Sequence, residues 1–185
     1  ISVTYGAGGT SRENTAEIAS EIQNSYNIPA VAHLTCVGST KEQMDKVLLS
    51  LAEKGVKNIL ALRGDLAEGE KLSDFKYACD LIRFIKSKYN FKILAACYPE
   101  KHLEAYSMQD DLMRLREKCA CGADMLISQL FFDNSLFYEF KDKARAMGIS
   151  QPIAAGIMPI TSASQISRMV SMFGASVPEK VQRII

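Results

Sequence analysis

The chain has 185 residues, 48% hydrophobic and 23% charged, enough to bury the core of one ordinary soluble domain. Its net charge of +1 gives no electrostatic basis for binding nucleic acid or an anionic membrane. No apolar run is long enough to span a bilayer, and no basic region leads into a signal-type apolar core. The five cysteines are Cys36, Cys79, Cys97, Cys119 and Cys121, an odd number set mostly inside apolar segments. They read as small hydrophobes in a reducing cytoplasm rather than as a disulfide framework. Cys119 and Cys121 form a C-x-C pair with no second pair or local histidine, so no metal site is expected.

The first predicted strand is "ISVTYG", and Gly6, Gly8 and Gly9 follow it. A Rossmann fingerprint would place a third glycine where Ser11 stands. It would also place an acidic residue at the end of the second strand, which instead reads His33-Leu34-Thr35-Cys36. Thr10 and Glu13 form a capping-box pair, which makes the loop a sharp strand-to-helix turn. The second strand is "AVAHLTC". A helix follows, started by a Ser39–Glu42 capping box and carrying Met44, Val47, Leu48 and Leu51 at helical spacing.

The third strand, "KNILALRGD", ends in an adhesion-type tripeptide, but at the end of a buried strand in a chain with no secretion signal. Ala78, Leu81, Ile82 and Ile85 mark the next helix. "KILAACYPE" and "MLISQLFFD" are the fourth and fifth strands. Phe137, Phe140, Ala144 and Met147 mark the helix after them, and "IAAGIMPI" is the sixth strand. Ile166, Met169, Val170 and Phe173 follow, then a helix start at "SVPEKVQRII".

The strands are near-continuous apolar runs, as expected of parallel strands covered on both faces. Their ends at Thr4, Thr35, Asp65, Tyr98, Gln129 and Pro159 recur every 30–33 residues, about one βα unit each. Alternation of this kind leaves a doubly wound sheet or a (β/α)8 barrel, and even spacing favours the barrel. Six units fall short of eight. The expected fold is a single TIM barrel domain over residues 1–185, short at one or both ends.

A barrel works at the C-terminal ends of its strands. Here those ends form a polar ring: Thr4 and Tyr5, His33 and Thr35, Arg63 and Asp65, Tyr98 and Glu100, Gln129, Pro159 and Thr161. Neither His33 nor His102 sits in an evident nucleophile motif. A polar ring without nucleophile or metal cluster suits a cofactor-driven reaction.

The segments "SVTYGAGGT", "AHLTC", "ILALRGD", "YPE" followed by His102, "SQLFFD" and "GIMPI" resemble the methylenetetrahydrofolate reductase family in order and spacing, over essentially the whole chain. The resemblance implies a flavin-containing (β/α)8 barrel, of which this chain holds strands two to seven with their helices, the first and last strands lying outside it. Such an enzyme reduces 5,10-methylenetetrahydrofolate to 5-methyltetrahydrofolate by ping-pong hydride transfer from NADH or NADPH through FAD.

By the same resemblance Asp65 lies beside flavin and folate, Gln129 contacts folate or nicotinamide, and Thr4 stands at the flavin and nicotinamide position. The implied FAD shell is Tyr5, Ala7, His33, Arg63, Gly64, Asp65, Tyr77, Ala78, Tyr98, His102, Ala105, Asp111 and Lys118. Within it Arg63, His102 and Lys118 would meet the pyrophosphate, and Asp111 the ribose or adenosine side. Thr4, Asp65, Gln129 and Gln165 would bind folate.

Glu117 and Met169 depart from the family pattern, where a basic residue and a phenylalanine can stand. The family's glutamate general acid lies on a strand before the position of Ile1, and its folate-holding arginine after Ile185. An isolated 185-residue chain is accordingly expected to be inactive, with a non-catalytic fragment or assembly module as the alternative. The resemblance also implies a homo-oligomer.

Overall fold

A computed structural model describes residues 1–4, 11–65, 74–158 and 162–183. Its strands are β1 (Ser2–Val3), β2 (Val31–Thr35), β3 (Asn58–Leu62), β4 (Lys92–Cys97), β5 (Met125–Leu130) and β6 (Ile153–Gly156). The helices are α1 (Ser11–Ser25), α2 (Lys41–Glu53), α3 (Ala78–Lys88), α4 (Met108–Ala120), α5 (Asn134–Ala146), α6 (Ala163–Phe173) and the short α7 (Glu179–Gln182). Each of the six apolar runs thus holds a strand, and helices alternate with them as expected of an α/β fold. The chain forms two compact units, residues 1–95 with 121–124 and residues 96–120 with 125–185.

In the first unit β1 pairs with β2, β2 with β3 and β3 with β4, all parallel. The last two residues of β4 belong to the second unit. Val3 lies opposite Ala32, Leu34 opposite Ala61 and Ala61 opposite Ala95. Side chains alternate across a strand, so this register separates two faces.

One face carries Ala32, Leu34, Ile59, Ala61, Ile93 and Ala95, all buried to 1% exposure or less. Leu81, Ile82 and Ile85 of α3 and Met44, Leu48 and Leu51 of α2 are buried as well. The other face carries Ser2, His33 and Thr35, which are exposed or half-buried. Leu60 and Leu94 lie on this same face at 6% and 7% exposure, so β3 and β4 are covered on both faces as expected, while β1 and β2 carry polar residues on the face that keeps some access to solvent.

The helix starts follow local hydrogen bonding. The capping box of α2 is Thr40–Gln43, one residue later than the Ser39–Glu42 pair expected. Thr40 Oγ1 accepts from the Gln43 amide at 3.2 Å, and Gln43 Oε1 accepts from the Thr40 amide at 2.9 Å. Ser39 is buried instead, at 1% exposure.

The C-terminus of α2 is closed by α1. Ser20 Oγ and Asn24 Nδ2 both donate to the Lys54 carbonyl at 2.9 Å, and Gln23 Nε2 donates to that of Gly55. These carbonyls have no partner within their own helix, so α1 supplies what the helix end lacks.

In the second unit β5 and β6 pair in parallel. The expected α5 stripe is buried at Phe137, Phe140 and Ala144. In α6 Ile166 is buried while Met169, Val170 and Phe173 are half-buried. Pro178 caps α7, within the predicted "SVPEKVQRII" start. Among the described residues no helix is long and apolar enough to cross a membrane.

Candidate active site

In the first unit the ends of β2 and β3 are locked together through their backbones. The Cys36 amide donates to the carbonyls of Leu62 and Arg63 at 3.2 and 3.1 Å, and the Val37 amide donates to that of Arg63 at 2.8 Å. These bonds carry the β2–β3 ladder one step past the strands and fix the start of the "RGD" turn. Gly64 takes φ +84°, and a Cβ there would lie 2.9 Å from both Thr35 Cβ and Val37 Cγ1. Only glycine meets both conditions without strain. Asp65 leaves this turn exposed, and Arg63 is half-buried with Nε donating to the Gly64 carbonyl at 3.2 Å.

Thr4 is exposed just past β1, and its carbonyl accepts from Thr15 Oγ1 at 3.1 Å. His33 Nε2 pairs with Ser2 Oγ, and burial holds the imidazole below its ordinary pKa, which favours the neutral ring. Cys36 is fully buried, and desolvation pushes its thiol up to about 12. It is a packing residue and not a nucleophile.

In the second unit the loop after β4 folds around a histidine and a buried acid. The Tyr98 and His102 rings meet edge to face at 4.6 Å. Lys118 Nζ sits over the Tyr98 ring at 5.8 Å and donates to the Ala96 carbonyl at 2.5 Å. His102 Nδ1 accepts from the Glu104 amide at 3.1 Å, which leaves the ring proton on Nε2.

Asp111 is 8% exposed and accepts from the His102 amide at 3.1 Å. Burial raises its carboxyl pKa, while the His102 bond and the nearby Lys118 charge oppose the rise. Four residues of the implied FAD shell, Tyr98, His102, Asp111 and Lys118, therefore form one polar cluster within this unit. Ala105 sits on the same loop, with its amide on the His102 carbonyl at 3.0 Å. Cys97 next to the cluster is buried, and its thiol too is pushed up to about 12.

Gln129 lies on the half-buried face of β5, and its Oε1 accepts from the Leu130 amide at 2.9 Å. The Ser128 hydroxyl beside it accepts from the Gly156 amide at 2.8 Å. Ser128 was not singled out in the sequence, although a glycine inside the apolar run of β6 is a recognised sign of close backbone approach. Glu100 of the expected polar ring is engaged, both carboxylate oxygens accepting from the Ser176 amide at 3.1 and 3.0 Å.

Tyr77 and Ala78 stand at the start of α3, where the Asp80 carboxylate accepts from the Lys76 and Tyr77 amides at 3.0 and 2.9 Å. Glu117, a departure from the family pattern, reaches Arg114 at 3.6 Å in an exposed ion pair. Tyr5, Ala7, the glycines Gly6, Gly8 and Gly9, Thr10, Pro159 and Thr161 lie outside the described residues, as do the side chains of Glu13 and Gln165.

The chain matches the family described as Methylenetetrahydrofolate reductase over residues 1–185. It is 38% identical to the 5,10-methylenetetrahydrofolate reductase of Pectobacterium carotovorum subsp. carotovorum over 178 residues, covering 96% of this chain and 59% of that protein. Identity to Methylenetetrahydrofolate reductase (NADH) 1 of Zea mays is 36% over 197 residues, covering 97% of this chain and 33% of the maize protein. The chain thus spans about three fifths of the bacterial relative and one third of the plant one.

Among solved structures, an uncharacterized protein from Clostridium thermocellum that binds two copies of 5-methyl-5,6,7,8-tetrahydrofolic acid has a TM-score of 0.59 at 12% identity. The match covers 98% of this chain and 74% of that one, and shows a shared fold. With a family match along its whole length, the chain belongs to the methylenetetrahydrofolate reductase family.

Proposed function

We propose that the protein reduces 5,10-methylenetetrahydrofolate to 5-methyltetrahydrofolate, using a nicotinamide nucleotide and FAD in two successive hydride transfers. The family match along all 185 residues carries this reading. The maize relative, whose name specifies NADH, supports a nicotinamide reductant. The full fold of this reading is a (β/α)8 barrel in which the two units are parts of a single domain, assembled as a homo-oligomer.

The donor set fits a flavin dinucleotide. His102 carries its ring proton on Nε2, and the Lys118 ammonium lies over the adjacent Tyr98 ring, so a diphosphate would meet a hydrogen-bond donor and a charge. Arg63, at the end of β3 in the first unit, is the further charge that the family resemblance implies for the pyrophosphate. Gly64 beside it makes a turn in which a side chain would collide with Thr35 and Val37. Asp111 holds the His102 backbone and thereby the loop that carries the imidazole. When bound, FAD would supply the hydride relay between the two substrates.

The chain's own residues would do the rest. The Asp65 carboxylate stabilises positive charge developing on the folate as its ring opens, and disfavours negative charge on the neighbouring flavin. Thr4, His33, Tyr77, Ala78 and Ala105 line the flavin, together with Tyr5 and Ala7. The burial that keeps His33 neutral would keep extra positive charge away from the ring system. Gln129 and Gln165 orient the folate.

The test is purified full-length protein, examined for bound flavin and for NADH or NADPH oxidation that depends on 5,10-methylenetetrahydrofolate. Flavin content with folate-dependent oxidation is the expected result. Flavin-free protein without turnover contradicts the reading. The 185-residue chain alone, three fifths of the bacterial relative, is expected to show no turnover in the same assay.

A further inference from the structure

We propose that Ser128 is a positioning residue, which holds a bulge in β5 so that the Gln129 carboxamide meets its ligand as a hydrogen-bond donor. The inference rests on the reading of Gln129 as a substrate contact. Ile127 pairs with Ala154, and the next pairing is Leu130 with Gly156. Two residues of β5, Ser128 and Gln129, therefore stand against the single Ala155 of β6. Such bulges are rare in parallel pairs, displace backbone groups from the ladder and re-aim side chains beside active sites.

Side chains meet two backbone donors at this bulge. The Gly156 amide donates to Ser128 Oγ at 2.8 Å, and the Leu130 amide donates to Gln129 Oε1 at 2.9 Å. A backbone N–H only donates, so the Gln129 atom facing it is the oxygen. With the oxygen held, the NH2 group is the end left to meet a ligand. A ligand acceptor such as a ring carbonyl suits it, and a ligand group that itself donates at that point does not.

Ser128 is 4% exposed, and its bond to the half-buried Gly156 is partly buried. A Cβ at Gly156 would collide with the Ser128 carbonyl oxygen, so both polar atoms of Ser128 face the same backbone. Alanine at 128 would leave the half-buried Gly156 amide without this acceptor, and the bulge would relax and carry Gln129 with it. Threonine keeps the hydroxyl.

A double-mutant cycle in the full-length protein, read as kcat/KM for 5,10-methylenetetrahydrofolate, tests the inference. Ser128→Ala is expected to lower kcat/KM about tenfold, and Ser128→Thr to keep it within about twofold. The Ser128→Ala, Gln129→Ala double variant is expected to match Gln129→Ala alone, because one residue acts through the other. Gln129→Glu, which can still accept from Leu130 but cannot donate when ionised, is expected to fall as far as Gln129→Ala.

Amide exchange at Gly156 reads the hydroxyl bond directly, and is expected to quicken in Ser128→Ala and not in Ser128→Thr. Multiplying effects in the cycle, unchanged exchange at Gly156 in Ser128→Ala, or wild-type kcat/KM in either Ser128→Ala or Gln129→Glu would overturn the inference. If Ser128→Ala does not fold, Ser128→Thr and Gln129→Glu still decide it, the first by a loss beyond about twofold and the second by wild-type kcat/KM. Wild-type protein without folate turnover would instead contradict the activity itself.

Discussion

The ends of β3 and β5 both present a residue implied in folate binding, and they are held in different ways. At β3 the backbone does the holding: the Cys36 and Val37 amides grip the Leu62 and Arg63 carbonyls, and Gly64 makes the turn at φ +84°. At β5 side chains do it, Ser128 Oγ taking the Gly156 amide and Gln129 Oε1 the Leu130 amide. Backbone locks tolerate side-chain change everywhere except at the glycine. Side-chain locks fail when one hydroxyl is removed. Asp65 should therefore keep its place through most neighbouring substitutions, whereas Gln129 should not.

The largest expected effect is at the one position where β5 and β6 admit no side chain. Gly156→Ala drives a methyl into the Ser128 carbonyl and is expected to cost about 3 kcal/mol or more, read as a lowered thermal midpoint or loss of soluble protein. Gly64→Ala tests the backbone lock. Positive φ together with the 2.9 Å approach to Thr35 and Val37 is expected to cost about 1–3 kcal/mol, with weaker flavin retention. Wild-type stability in Gly64→Ala would break the comparison, because the lock would then not depend on that turn.

Cys36→Ala sharpens the same point with a smaller effect. The Cys36 thiol makes only long contacts, 3.7 Å to the Arg63 carbonyl and 3.8 Å to that of Tyr77. The variant is expected to lose about 1 kcal/mol of packing and to keep its kcat. In the native wild type, Cys36 and Cys97 are expected to resist thiol reagents until the protein unfolds, because burial holds both thiols protonated.

The smallest effect is in acid. His33 binds a proton less readily folded than unfolded, so its contribution to stability is complete above its ordinary value of 6.5 and is lost as pH falls through its lowered folded value. Chemical denaturation of His33→Gln against wild type should show a flatter dependence in that range.

The strands were legible because apolar runs of this kind have few other uses, and their even spacing set the α/β alternation. The helix α4 had no readable apolar stripe. Its buried face is Asp111, Leu112 and Leu115, and a buried acid looks like a surface residue until its partner, the His102 amide, is seen. The cap of α2 was displaced by one residue because Ser39, Thr40, Glu42 and Gln43 satisfy two overlapping capping patterns, and tertiary burial of Ser39 chooses between them. The order of the site motifs was visible, but the bulge was not. "SQ" carries no backbone signature, and the accompanying clue, Gly156, lies 27 residues further on.

The most direct test of the central claim separates the two hydride transfers. Full-length protein, held without oxygen, is mixed first with NADH or NADPH and then with 5,10-methylenetetrahydrofolate. The account predicts that the nucleotide bleaches the visible band of bound flavin, and that the folate restores it with formation of 5-methyltetrahydrofolate. A flavin band that the nucleotide leaves unchanged, or that the folate cannot restore, would contradict it.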